Sequence, residues 1–343
     1  MTVVPTPPVR LLDLGAVSPL RSQALYHALA ESMGEDSPDT IVLCRPSAPY
    51  FCVGYHQSPV EELDLDWCRD NGYPVFRRRI GGGTVFLDTS QLFYQCVFHR
   101  RRAPLMVNAI YRRFLIPAVE TLRALGLPAA LEGVNEIEVG GRRIAGTGGG
   151  QIGEAVVVVG NFLFDFPAAV MGRAWRVPSN DFRRLAEDGL RLHLATLNSV
   201  LAERPSEARI RAELVTRYEA GLGRSLVPGS LSAAEEARAL EEEERLLRPG
   251  ETRGGVRPRG ARLKVTHRVW VHEWTWSVGG GDARVTARVA DRGIEDLVVS
   301  GAALARDDAE RRVLEALRAR EEIAVNGARW GGVGEERRAL PPL

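Results

Sequence analysis

Two glycine-rich stretches flanked by arginines are where this chain could do chemistry. The first is Arg77–Asp88, RRRIGGGTVFLD, in which Gly81-Gly82-Gly83 follows a short apolar run at Val75–Phe76. Consecutive glycines let a backbone approach a ligand closely. Their N–H groups can form a nest for an anion, and flanking arginines add charge and paired donors. A tight turn between two strands accounts for the same run. It is not a Walker loop, because no G-K-[ST] follows, and not a dinucleotide fingerprint, because the glycine spacing differs. The second stretch is Asn135–Gly150, NEIEVGGRRIAGTGGG. Its spacing predicts a strand, a turn at Gly140-Gly141, a basic strand over Arg142–Ile144 and a loop with glycines at 146, 148, 149 and 150. That loop suits close approach to a phosphate or a slim acyl chain. Two such segments beside arginines fit one anionic ligand better than two unrelated turns. Asn135 and Glu136 offer oxygens to a magnesium ion or an amino group; a strand start with Asn in a turn explains the pair equally well.

The other reactive side chains are scattered. Cys44, Cys52, Cys68 and Cys96 form no C-x-x-C pair and read as small buried hydrophobes in a reducing compartment. The histidines do not cluster at metal-ligand spacing. With 45 Lys+Arg against 44 Asp+Glu, the net charge of +1 argues against a protein that binds nucleic acid by charge alone. Lys264 is the one lysine, so chemistry that needs an amine has almost none to draw on.

These segments need elements to hold them. Apolar residues at helical spacing predict helices over Ser18–Met33, Met106–Leu125, where Pro117 should kink the helix, and Ser206–Leu222. Thr40–Arg45, Leu92–Phe98 and Ala155–Phe166 read as strands. Ser232–Leu247, with the run Glu241–Glu244, reads as a solvated helix, and Pro249–Arg262 as a flexible Gly/Pro/Arg-rich linker. Beyond it, Val269–Trp276, Ala283–Ala290 and Leu297–Ser300 are predicted strands and Asp307–Arg320 a closing helix. Trp270, His272, Trp274 and Trp276 alternate, as on one face of a strand. A length of 343 residues suits one large domain and one smaller one, at roughly 100–200 residues per domain. The expected division is 1–228 for the main domain, 229–262 for helix and linker, and 263–343 for a small α+β module. The first ten residues lack the features of a signal peptide, and the longest apolar run is about half of what a membrane span needs. The expectation is a cytoplasmic protein with no membrane or nucleic-acid partner.

At the level of motifs, Arg77–Asp88 resembles the RRxSGGGAVxHD stretch of the lipoate–protein ligase A family. Val53-Gly54-Tyr55-His56-Gln57 is similar to that family's G-x-x-Q segment, Val134–Glu138 to its R-N-D-I strand, and Gly141–Gly146 to G-[RK]-K-I-[SA]-G. Gly160-Asn161 falls where the family has H-G-T, and Arg176–Asn198 resembles a later segment ending in T-N-L. The resemblance covers about residues 15–225, and the tail resembles the small accessory domain of bacterial lipoate ligases.

The resemblance implies an α/β (α+β) fold, a biotin/lipoate ligase-like mixed-sheet domain followed by the accessory domain. It implies an ATP-dependent, AMP-forming lipoate–protein ligase that makes lipoyl-AMP and acylates a lysine of a lipoyl carrier, either glycine-cleavage-H-like or a dehydrogenase E2 domain. An ATP-independent octanoyl/lipoyl transferase and a non-catalytic lipoate-binding homologue are the alternatives. By position, Arg78, Gly83, Thr84, Val85, Phe86, Asn135, Glu136 and Arg143 are expected to meet ATP. Gly81, Gly82, Asp88, Gly146 and Gly148 are expected to meet the acyl substrate, and Asn135 with Glu136 is the candidate Mg2+ pair. Arg143 stands at the family's essential lysine and is the candidate catalytic residue. It can carry the positive charge that stabilises the developing anion, but it cannot act as a base. Ile80, Leu87 and Val159 also depart from the family pattern. The transferase cousins use a cysteine nucleophile, in one branch with a lysine; no cysteine lies after Cys96 and no lysine before Lys264.

Overall fold

Every residue of the strand Gln91–His99 is buried, and that strand lies inside the main sheet. The computed structural model describes residues 7–203, 205–248, 262–291 and 293–330. The first elements are β1 (Val9–Val17), α1 (Pro19–Glu31), β2 (Thr40–Pro46), β3 (Tyr50–Val53), α2 (Pro59–Glu62), α3 (Leu65–Asp70), β4 (Val75–Arg77), β5 (Val85–Leu87) and β6 (Gln91–His99). Then come α4 (Val107–Ala124), β7 (Ala129–Glu132), β8 (Glu136–Val139), β9 (Arg142–Arg143), β10 (Ala145–Ile152), β11 (Ala155–Leu163), α5 (Ala168–Ala174) and α6 (Asn180–His193). The remainder is α7 (Leu197–Val200), α8 (Glu207–Leu222), β12 (Leu226–Pro228), α9 (Ala233–Leu247), β13 (Arg262–Lys264), β14 (Trp270–Val278), β15 (Gly281–Ala290), β16 (Gly293–Gly301) and α10 (Arg306–Trp330). The mixed α/β class is as expected.

The chain divides into two compact units. In the first, six strands run in the order β10-β11-β6-β2-β1-β12, parallel on the β1 side and antiparallel on the β11 side. The two-residue period of β6 sends Leu92, Tyr94, Cys96 and Phe98 to one face, where they pack with Phe114, Leu115, Leu214 and Tyr218 of α4 and α8. Phe93 and Val97 face the other way, into a second core with Leu25, Tyr26 and Leu29 of α1 and Tyr50, Cys52, Phe76 and Leu87 of the small sheet β4-β3-β5. α1 begins where the sequence places it: the Ser18 hydroxyl accepts from the Arg21 N–H, and Pro19 occupies the first turn. α4 continues through Pro117.

One polar hub ties this unit together. Asp39 is buried and accepts from Arg102 Nε at 2.9 Å, from the His99 N–H at 3.0 Å and from the buried Arg224 guanidinium. Asp39→Asn is expected to destabilise the fold by about 3–5 kcal/mol, because two arginines lose their counter-charge. Chemical denaturation checks this; a loss below about 1 kcal/mol would show the hub to be dispensable.

Two expectations change. α9 is solvated on one side only: it lies on α1 with Ala239 and Glu242 buried, Arg10 bonded to Glu235, Arg21 to Glu236 and Glu243, and Arg79 and Arg245 to Glu242. Distant Arg79 and Arg21 meet Glu242 and Glu243 of its acidic run, and a one-dimensional charge pattern cannot display them. The expected linker at 249–261 lies outside the described residues. Residues 168–193 belong to the second unit, not to the main domain. There α6 packs Phe182, Leu185, Ala186 and Leu190 beside the antiparallel sheet β13-β14-β15-β16. Asp181 accepts from Ser300, and His193 and Arg288 both pair with Glu295 at 2.8 Å. On β14 the rings of His272, Trp274 and Trp276 stack at 5.2 and 5.9 Å, as the alternation predicts. Among the described residues, no helix is long and apolar enough to cross a membrane.

Candidate functional site

Between the main sheet and the layer formed by α1 and the small sheet lies a cavity of the first unit. Its floor is Phe93 and Gln95 of β6, Val159, Gly160 and Asn161 of β11, and Gly146, Thr147 and Gly148 of β10; its roof is Gln23 and Tyr26 of α1, Cys52 of β3, Arg78, and Val85 and Leu87 of β5. Strand pairing explains the floor, since Val159 lies opposite both Gln95 and Gly148. Where Gln23, Tyr26, Cys52 and Gln95 meet, the walls are fully buried, whereas Val85, Thr147 and Val159 are partly exposed and mark the open end.

The two glycine-rich segments come together at this cavity. The Gly81 N–H donates to the Gly149 carbonyl at 2.9 Å. A Cβ on Gly148 would sit 2.9 Å from the Gly81 carbonyl oxygen, and one on Gly54 only 2.0 Å from that of Gly82. The glycines thus let chain pack on chain, as well as leaving room for a ligand. The second segment is not a loop but the edge strand β10, paired with β11 from Ala145 to Ile152. Its glycines disguise it, because they carry none of the β-branched residues by which a strand is read.

Arg78 is built into the wall rather than held out to solvent. Its buried guanidinium donates to Cys52 O at 3.2 Å, to Gly81 O at 3.2 and 3.1 Å and to Gly83 O at 2.8 Å. It stitches the glycine turn to β3, so its first task is to shape the loop that the sequence reading has it share with a nucleotide. Gly82 adopts φ +105°, and Gly83 has open space around it. The Thr84 hydroxyl donates to Gln57 Oε1 at 3.2 Å, and Gln57 also accepts from the Gly54 N–H, so the G-x-x-Q segment anchors the strand that follows the glycines. Val85 lines the cavity, but Phe86 does not: its ring packs on Phe51 and Tyr73, and its carbonyl accepts from Gln91. The alternation of β5 makes the two mutually exclusive.

The other expected residues spread around this centre. Asp88 is outside the lining; it accepts from the Ser90 N–H at 2.8 Å, and burial raises its carboxyl pKa. Gly146 lines the cavity and donates its N–H to Asn161 Oδ1 at 2.7 Å, while Asn161 in turn donates to Gln91. Arg143 is partly exposed on β9, which leads directly into β10, and lies 3.9 Å from the buried Glu136 carboxylate. The Asn135 backbone carbonyl accepts from the Thr147 hydroxyl. The Asn135 carbonyl and the Glu136 carboxylate face Thr147 and Arg143, and no step is routed through a metal there.

All four cysteines are free and buried. Burial pushes the Cys44 and Cys96 thiols up to about 12. Cys52 is in the cavity wall, at its buried end, and burial raises its thiol as well. The sequence reading singled out none of Gln23, Tyr26, Gln95 and Thr147, and marked Asn161 only as a motif position without a role. One signal was available: Gln95 stands in the middle of the run Leu92–Phe98, whose other residues are apolar or aromatic.

The family model for the lipoyl protein ligase A/B catalytic domain matches residues 18–219. Over 253 residues the chain is 28% identical to octanoyltransferase LipM of Symbiobacterium thermophilum, covering 67% of this chain and 92% of the relative. Over 187 residues it is 24% identical to lipoate-protein ligase LplJ of Bacillus subtilis, covering 52% and 54%. In architecture it is similar to a bi-partite lipoate protein ligase from Thermoplasma acidophilum, described with its E2 lipoyl domain, at a TM-score of 0.64 and 23% identity over 70% of this chain and 93% of that one.

Proposed function

Because the chain belongs to the lipoyl protein ligase A/B catalytic domain family, we propose that it is an ATP-dependent ligase that joins a lipoate-type acid to a lysine of a lipoyl carrier. The acid enters the cavity tail first, since a carboxylate is far costlier to bury unpaired than an alkyl chain. Its carboxylate then remains at the open end, beside Thr147 and the Gly81–Gly83 turn. There a carboxylate oxygen attacks the α-phosphorus of ATP and pyrophosphate leaves. In the second step the carrier lysine attacks the acyl carbon and AMP leaves. Arg143, at the root of β10, supplies positive charge to the developing anion. The carrier is an E2 lipoyl domain or a glycine-cleavage-H-like protein, and four free thiols fit a cytoplasmic setting.

The observation that carries the ligase reading is the placement of the cysteines. A cysteine relay needs a thiolate where the acyl carbon rests. Here the thiol in the cavity wall is at the tail end, and its burial holds it protonated. The similarity to octanoyltransferase LipM favours a second reading, octanoyl transfer between carriers without ATP.

Incubation with lipoate or octanoate and apo lipoyl domain, with and without ATP, separates the two. The ligase reading expects acyl-AMP by mass spectrometry when the carrier is omitted, and acylation only with ATP. Octanoyl transfer from an octanoylated carrier in the absence of ATP would establish the second reading instead. Arg143→Ala is expected to lower acyl-AMP formation by about 10²–10³-fold, the scale of one lost electrostatic donor, while Arg143→Lys retains most of it. An alanine variant within a few-fold of wild type would remove Arg143 from the reaction.

A further inference from the structure

The buried end of the cavity is polar, which an alkyl tail does not require. Gln23 is fully used: its Nε2 donates to the Tyr50 hydroxyl at 2.7 Å, and its Oε1 accepts from the Tyr26 hydroxyl at 2.8 Å and the Cys52 thiol at 3.7 Å. Gln95 is only half used. Its Nε2 donates to the Ser22 carbonyl at 2.7 Å. That carbonyl can only accept, so the amide orientation is settled and the oxygen is turned away from it. Gln95 is 1% exposed, and its Oε1 has no hydrogen-bond partner among the described residues. A buried amide oxygen without a donor is a standing cost, and a ligand that supplies the donor recovers it.

We propose that Gln95 selects an acid whose far end carries a hydrogen-bond donor, which for a lipoate-type acid means the reduced dithiol rather than the cyclic disulfide or plain octanoate. This rests on the reading above, that the cavity takes the acid tail first. The disulfide ring and the methyl end of octanoate have no donor to offer, whereas a thiol or hydroxyl has one. The neighbours sharpen the selection. The oxygen of Gln23 is already saturated and the Cys52 thiol already donates, so Gln95 is the acceptor left for the ligand. The preference needs no nucleotide, since it lies at the opposite end of the acid from the reacting carboxylate.

Calorimetry on the full chain without ATP tests this with four acids: octanoate, 8-hydroxyoctanoate, lipoate and dihydrolipoate kept reduced under anaerobic conditions. Dihydrolipoate and 8-hydroxyoctanoate are expected to bind about 5–10-fold tighter than lipoate and octanoate respectively, the worth of one buried hydrogen bond. In Gln95→Leu both ratios should fall to near one. Equal affinities within each pair in the wild-type protein would overturn the proposal, and that measurement stands even if the leucine variant does not fold. So would ratios that persist in a folded Gln95→Leu. Failure of all four acids to bind would instead remove the acid-binding reading and this inference with it.

Discussion

Arg78→Ala is expected to weaken binding of the acid by more than about 100-fold and to lower the unfolding midpoint by about 6–12 °C, the shift for a loss of about 3 kcal/mol in a unit of this size. The guanidinium is buried and donates to the carbonyls of Cys52, Gly81 and Gly83. Its removal leaves three acceptors without that donor and frees the turn that roofs the cavity. Arg78→Lys should fall nearly as far, because one ammonium cannot reach the spread of positions that the planar fork spans. The check is calorimetry with octanoate beside a thermal melt. Binding by Arg78→Ala within threefold of wild type would mean that the turn holds its shape without the staple.

Deleting everything from residue 262 onward is expected to yield aggregated protein. Read from the sequence alone, such a cut removes a self-contained module. In the structure it also strips α6 of its sheet, because α6 packs on β14 and β15 and belongs to the same unit. Phe182, Leu185, Ala186 and Leu190 would then be exposed as one apolar stripe. The bonds from Asp181 to Ser300 and from His193 to Glu295 would be lost with it. Size-exclusion chromatography of the truncated chain decides the matter: a monodisperse, fully folded product would show that α6 is stable without the sheet. A second deletion that also removes residues 168–193 should be better behaved than the first, since no orphaned face remains.

Much of the fold was legible in one dimension. Helix starts at Ser18, Ser206 and Ser232 announce themselves because a capping hydroxyl acts on backbone within three residues. The hairpin at Gly140-Gly141 is equally local, both glycines taking positive φ. The short strands β3 and β5 and the glycine-rich β10 escaped, because each is defined by its partner strands and not by its own residues.

The sequence by itself determined the family motifs, their order, and the two glycine-rich segments that would converge. It also settled that the chain has one lysine, Lys264, well beyond them along the sequence, since residue identity requires no coordinates. Only the tertiary structure decided what each residue does there. Arg78 became a staple, Phe86 turned into an aromatic cluster, and the acids of α9 found arginines far away along the chain. Gln95 gained its meaning when α1 folded over β6, spending its nitrogen on Ser22 and leaving its oxygen unmatched at the end of a cavity. The physical reason is range: propensity, caps and turns act over a few residues, whereas burial, charge pairing and hydrogen-bond satisfaction depend on which distant segments meet.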